Sequence, residues 1–529
     1  MYADSIDTLF ERYGPAYKWL AMVTCMLGGM TAILASSTVN VAFPDIMGTF
    51  GIGRDQAQLL STGYFASMTA GMLLSAWLID WLGERLSYSI ALTLFLLGAA
   101  MSGSAQTSEI LMSGRVLQGT AAGIIQPLTM AVVFKVFPKG SKGMSMGLYS
   151  MGMVLAPTLG PTAGGFAIEY FNWRYVFLLT LPSVCLAFIM GNLFMPSRVR
   201  PKKFPTFDFL GFGVLSVALF CYMIGFSYGQ RMGWGSNDIV GLFILAFVMT
   251  ASFILRQLYG PQPLINLKLF LIPHFTAAAL ISLFTGCAFM ASTFMLPLFV
   301  QQIQQYSPME AGMLMIPGGL SLLIMYPVAG RMADTLPPQM LIYAGLISFS
   351  LAFLCLSQAD VNTPFWSLVS FTLLIRVGTA FTRPVVNSTA LQSLPNALVN
   401  QGSGAINFMR QLGAAMGTSL LVVFLERRIP FHSDAFAAAQ TGASGLSQAA
   451  QGQLVQILGE AGVPEALQEP GALHLLGKMI YAQASTNGFQ DTFMALAVVS
   501  IVGVLPAMVL ALSNKEPVVS TPEPEHATK

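Results

Sequence analysis

Arg115, Arg376, Arg383 and Arg410 each lie in a long stretch of sequence that is otherwise apolar. A guanidinium stays charged in proteins and offers five N–H donors in a planar fork, a geometry matched to carboxylate and phosphate oxygens. At the centre of a bilayer an arginine costs about 3 kcal/mol even on the milder insertion scales, so it points to a protein interior or a water-filled cavity. Arg376 and Arg383 are two helical turns apart and share a face. Arg383 and Arg410 fall toward the ends of their stretches, where a long side chain can also snorkel to the surface. Asn40, Gln118, Gln126 and Asn407 offer hydrogen bonds that would orient a ligand, although amides in apolar helices serve equally to bridge one helix to the next. No aspartate, glutamate or histidine falls at the middle of such a stretch. Asp45, Glu109, Asp208, Asp238, Glu310, Asp360 and Asp491 lie at edges, and Asp80 and Asp334 in short connections. The expected interior is positive, and low-dielectric walls strengthen its field. Anionic or weakly acidic molecules suit it better than cations.

The elements that must hold these arginines follow from composition. The chain of 529 residues is 55% hydrophobic and 9% charged, against about 25% charged in an average soluble domain, and its mean hydropathy is +0.67. Uncharged or nearly uncharged windows of about 20 residues, enough to cross the hydrocarbon core as a helix, occur fourteen times, over 18–42, 57–79, 87–106, 109–134, 144–168, 175–195, 208–228, 238–257, 274–300, 311–330, 340–358, 365–390, 402–425 and 490–512. The fold class expected is an all-α membrane protein with fourteen transmembrane helices. The first window is too long for a signal-peptide core and lacks a small-residue cleavage site, so it reads as a retained span. With the N-terminus in the cytoplasm, the inner connections and tail hold twelve basic residues (Arg85, Lys135, Lys139, Lys142, Arg198, Arg200, Lys202, Lys203, Arg256, Lys268, Arg331 and Lys515), against three, Arg54, Arg174 and Arg231, in the short outer ones. That asymmetry places both termini in the cytoplasm. Cys25, Cys185, Cys221, Cys287 and Cys355 lie in apolar windows without metal-ligand spacing and read as small buried hydrophobes.

Two short connections match each other. "LIDWLGERL", with Asp80, Gly83 and Arg85, follows the second window, and "AGRMADTLPP", with Gly330, Arg331 and Asp334, follows the tenth. They are equivalent if two six-helix bundles flank an inserted pair made of windows seven and eight. The division is then a cytoplasmic N-terminus over 1–17, a first bundle over 18–195, a linker with the inserted pair over 196–272, a second bundle over 273–512 and a cytoplasmic tail over 513–529. Bundles repeated in this way place a substrate near the midplane between them. Residues 426–489 form one long outer segment, expected to hold one or two amphipathic helices outside the membrane. The fifth window, "SMGMVLAPTLGPTAGGFAIEY", carries Gly152, Pro157, Gly160, Pro161, Gly164 and Gly165, residue types that disfavour a helix interior. Small residues three and four apart give a smooth face for close helix approach, and prolines bend the helix. Such a helix suits the seam between two rocking bundles.

These residues resemble a known family. "LMSGRVLQGTAAG", with Arg115, Gln118, Gly119 and Gly123, is similar to the fourth-helix motif of the major facilitator superfamily, and "GMVLAPTLGPTAGG" to the fifth-helix motif of its drug exporters. "LIDWLGERL" resembles a degraded form of the loop motif between helices two and three. "FNWRYVFLLTLP" and "RQLGAAMGTSLL" are similar to sequences of the fourteen-helix drug:proton antiporter branch, and the resemblance runs from about residue 20 to 512. It implies a multi-pass exporter of hydrophobic or amphipathic compounds in the inner (cytoplasmic) membrane, working by alternating access and driven by protons, with no cofactor. It also implies that Arg115 has a structural or proton-relay role and that the fifth-helix motif favours export. Similar exporters in Gram-negative bacteria work with a periplasmic adaptor and an outer-membrane channel, for which the 426–489 segment is the expected contact. Family members commonly carry an acid in the first helix, in a stretch resembling "LDSTIANVAIP". Here the stretch reads "LASSTVNVAFP", with Ala35 where that proton carrier belongs.

Other classes fit poorly. A net charge of +2 with no basic–aromatic run gives no nucleic-acid surface. There is no phosphate-cradling Gly-rich loop with lysine, no His or Cys cluster for a metal, and no serine with a His and acid partner in reach, so an enzyme is not expected. The alternatives that remain are an organic-anion uptake transporter and a non-transporting sensor or assembly subunit whose working surface is the outer segment.

Overall fold

In the computed structural model, residues 4–197, 206–260, 264, 266–439 and 445–513 are described. The linker arginines and lysines at 198–203 and the tail beyond 513 lie outside them, as do the side chains of Asn40 and Pro161. Twelve helical stretches among the described residues are long and apolar enough to cross a membrane. Their lipid-facing sides carry large apolar residues, as Phe247 and Ile324 do at 68% exposure each. Cys185 is exposed rather than buried, because its helix turns that face outward.

Several helix boundaries differ from the sequence expectation for local physical reasons. Residues expected as two spans and a connecting turn form Arg54–Gly103, interrupted only at Gly83, whose backbone (φ 78°, ψ 170°) is open to glycine but strained for other residues. Asp80 therefore ends one helical arm instead of lying in a loop. Asp334 likewise sits in the last turn of Pro308–Thr335. The fifth window forms one continuous helix, Lys142–Tyr170, with both prolines inside. The outer segment is not separate from the membrane helices. Val399–Ala439 continues through Glu426, Arg427 and Arg428, and Glu465–Val502 runs past residue 490, with the Gly445–Glu460 helix packed on the latter. A charge cluster marks where hydrocarbon ends, but nothing in it breaks a helix.

One core holds Tyr64, Tyr88, Phe95 and Ile125 of the first half together with Phe275, Ile342 and Leu391 of the second, and another, within the second half, gathers around Phe299, Phe349, Phe353 and Phe493. Phe209–Met232 and Asn237–Tyr259 pair with each other and lie against the outside of Arg54–Gly103, where Leu215, Leu219 and Phe253 meet Ala70 and Leu73, and Phe408 of the second half. Asp208 anchors the pair: it caps the Gly211 N–H at 2.8 Å and accepts from Arg256 Nε at 2.6 Å.

Candidate functional site

Arg115 is fully buried within the first half. Its Nη1 donates to the Ala35 carbonyl at 3.2 Å and to Gln118 Oε1 at 3.0 Å, Nε reaches the Leu60 carbonyl at 3.4 Å, and the guanidinium lies 4.1 Å from the centre of the Tyr64 ring. Thus the arginine contacts, through backbone, the position where the resembling family has its acid. Gln118 Nε2 and Arg115 Nη2 have no hydrogen-bond partner among the described residues. Gln126 is buried on the same helix, Ser108–Val136, and its carbonyl accepts from the Tyr149 hydroxyl at 3.2 Å.

The second half holds the other arginines. Arg376 is buried with its guanidinium 4.9 Å from the Phe289 ring centre and Nη2 3.8 Å from Met315 Sδ, and its Nε has no hydrogen-bond partner among the described residues. Arg383, two turns on in Phe365–Gln392, is half-buried. Arg410 is half-buried and donates to the side-chain oxygen of Asn407, whose Nδ2 donates across the seam to Met130 Sδ at 3.1 Å. Among the described residues no carboxylate pairs with any of the four arginines. The structure therefore does not gather them into one site: Arg115 is sealed in the first half, whereas Arg383, Arg410 and Asn407 line the junction of the halves, with Arg376 deeper in the second.

The fifth-helix glycines also separate by face. A Cβ at Gly160 would meet Ser37, one at Gly164 would lie 2.9 Å from the Thr38 carbonyl, and one at Gly152 would meet Met26, so all three pack on Tyr17–Thr38 inside the first half. Gly165 faces open space and Pro157 is exposed. The close approach to the second half is made nearer the helix start, where added Cβ atoms at Gly143 and Gly147 would lie 2.5 and 3.0 Å from Gly330. This corrects the expectation that the motif glycines themselves form the seam. The helix is sandwiched between Tyr17–Thr38 and Pro308–Thr335, and each face needs its own small residues.

At that same end the halves are joined by polar contacts. Asp334 accepts from the Gly143 and Met144 N–H groups at 2.6 and 2.8 Å, capping the N-terminus of Lys142–Tyr170 from across the seam. Lys135 Nζ donates to Glu84 at 2.9 Å and to Asn400 Oδ1 at 2.8 Å, Asn400 Nδ2 reaches Asp80 at 3.3 Å, and Ser403 donates to the Pro127 carbonyl at 2.7 Å. Arg85 is used within its own half, on Asp4 at 2.9 Å and the Met195 carbonyl at 2.8 Å. Sequence reasoning missed Tyr149, Tyr326, Lys135 and Asn400. Of these only Lys135 and Asn400 carried a signal, a polar group at the same end of each half.

The described residues thus form an all-helical, multi-pass membrane architecture. The chain belongs to the Major Facilitator Superfamily, whose family model matches residues 25–418; its members act on small substrates within a membrane and are not enzymes. It is 29% identical over 412 residues to the uncharacterized MFS-type transporter YhcA of Bacillus subtilis, covering 78% of this chain and 77% of that one. It is 26% identical over 400 residues to the lincomycin resistance protein LmrB of Listeria monocytogenes (76% and 85% covered). To the multidrug export protein EmrB of Haemophilus influenzae it is 25% identical over 418 residues (78% and 81%). In fold it is similar to the proton:xylose symporter XylE, with TM-score 0.61 at 13% identity over 94% of this chain and 96% of that one. It is also similar to the human organic anion transporter MFSD10, with TM-score 0.56 at 15% identity over 93% and 99%.

Proposed function

We propose that the protein is a secondary active exporter of hydrophobic or amphipathic compounds, preferentially anionic or weakly acidic ones, that works by alternating access in the cytoplasmic membrane. The observation that carries this reading is the set of acid-free arginines at and behind the junction of the halves, Arg383, Arg410 and Arg376. Relatives named for multidrug export and lincomycin resistance support the exporter class. A fourteen-helix arrangement, six plus two plus six, is supported by the interruption at Gly83, which divides Arg54–Gly103 into two arms, and by the 29-residue helix Lys142–Tyr170. If the Lys/Arg count sets the orientation, the end joined by Asp334, Lys135 and Asn400 is cytoplasmic, and the conformation is one closed to the cytoplasm. Proton coupling is part of the proposal, with the proton carried by a group other than a first-helix acid. Inside-out vesicles should accumulate labelled salicylate under an imposed pH gradient and much less without one. Equal accumulation in both would remove proton coupling, and none in either would remove the exporter.

The helical projection built from residues 426–489 is proposed to contact a periplasmic adaptor, since bundle connections are commonly about 2–8 residues. Exposed Ile457, Leu467, Met479 and Tyr481 on it support a docking role. Replacing residues 432–484 with a short Gly/Ser linker should abolish co-purification with an adaptor while vesicle transport persists; the reverse result would make the projection part of the transporter.

A further inference from the structure

We propose that Arg383 and Arg410 form an anion-gripping pair at the junction of the halves, holding the acid group of an amphipathic aromatic carboxylate between them, with Tyr149 and Tyr326 as its walls. The inference rests on the anionic preference proposed above and gives it a location.

Arg383 makes no hydrogen bond or ion pair among the described residues, and Arg410 has only the neutral oxygen of Asn407. Arg383 lies on Phe365–Gln392, which touches both Val399–Ala439, the helix of Arg410, and Lys142–Tyr170, the helix of Tyr149 in the first half, so the two guanidinium groups come from adjoining helices at the junction. Like charges brought together away from bulk water repel, and a carboxylate between them replaces that repulsion with charge-assisted hydrogen bonds. Tyr326 supplies an independent sign of an unfilled polar role. It is fully buried, its hydroxyl has no hydrogen-bond partner among the described residues, and its helix, Pro308–Thr335, packs on both Lys142–Tyr170 and Phe365–Gln392, the helix of Arg376 and Arg383. The surroundings are apolar and aromatic, with Tyr326 and Ala380 packed on Val154 and flanked by Phe381 and Met325. They suit a ring or short chain behind the acid group. Arg115 is excluded from this site, because its donors are directed to the Ala35 and Leu60 carbonyls and Gln118.

The test uses the purified full-length protein in lipid nanodiscs and two labelled probes of one shape, salicylate and its neutral amide salicylamide. Equilibrium dialysis should show salicylate bound and salicylamide at least tenfold weaker. Arg383→Gln and Arg410→Gln should each weaken salicylate at least tenfold, with Arg383→Lys retaining part of the affinity. Melting adds a readout that a merely structural arginine would not give. Without ligand, Arg383→Gln should melt no lower than the unaltered chain, since it removes only repulsion, and its melting should no longer rise with salicylate. The proposal is overturned if the unaltered chain binds no salicylate at millimolar concentration or binds the amide equally well. It is equally overturned if both glutamine variants bind within twofold of the unaltered chain, or if Arg383→Gln melts lower and binds normally. Binding that obeys these rules without transport in vesicles would sink the exporter reading alone. Charge-selective transport that survives both substitutions would sink the site alone.

Discussion

At the scale of single residues, the arginines differ in what surrounds them more than in sequence context. Arg115 has committed donors on two backbone carbonyls and an amide, and a ring beneath it, so it ties together Tyr17–Thr38, Arg54–Gly103 and Ser108–Val136. Lysine at this position keeps the charge but loses the planar fork, and with it at least one hydrogen bond to a charged group, worth about 1.5–3 kcal/mol. Arg115→Lys should therefore lower transport about tenfold or more, as read from initial rates in vesicles. Wild-type rates for Lys with none for Ala would show that charge alone matters, and an active Arg115→Ala would take the residue out of the mechanism altogether. Ala35 makes the same point from the other side: without a first-helix acid, Arg115 is held by a carbonyl dipole rather than an ion pair.

At the scale of elements, Lys142–Tyr170 is the helix with most at stake. Gly160 and Gly164 let it lie against Tyr17–Thr38, where the neighbouring atoms are the short Ser37 side chain, its Cβ included, and the Thr38 backbone, which cannot give way as a flexible side chain end would. Replacing either glycine with leucine should abolish transport while leaving membrane insertion intact, because the defect is steric and hydropathy rises. Full activity in both variants would refute the close-packing role. The same helix starts under the carboxylate of Asp334, where a helix N-terminus is typically stabilised by about 1 kcal/mol when capped. Here the cap comes from the other half, so its contribution stabilises a conformation as well as a helix.

For the whole molecule, every hydrogen bond described above between the halves lies toward one end, from Met130 and Ser403 out to Asp334 and Lys135. Removing a cap worth about 1 kcal/mol shifts a two-state equilibrium roughly fivefold. Asp334→Ala should accordingly open this end more often, raising the labelling rate of a cysteine introduced nearby by about that factor; an unchanged rate would mean the cap does not bias the closed state.

Composition and hydropathy alone determined that the chain crosses a membrane many times as helices, since only helices and closed barrels satisfy a backbone in hydrocarbon and uninterrupted apolar windows of about 20 residues fit helices, not the short alternating strands of a barrel. The Arg115 and Gly160 segments were likewise legible, being local patterns with a fixed helical period. Tertiary structure decided which faces meet. Whether Gly160 or Gly147 lies at the seam, and whether Arg115 or Arg383 reaches the junction, depends on the rotation of each helix about its axis. That rotation is set by packing against neighbours distant in sequence, and an apolar helix records it only faintly when lipid and protein interior select similar side chains. The bridge from Lys135 to Asn400 spans residues far apart in the chain, and Tyr326 gains its meaning only from the two arginines that folding brings beside it.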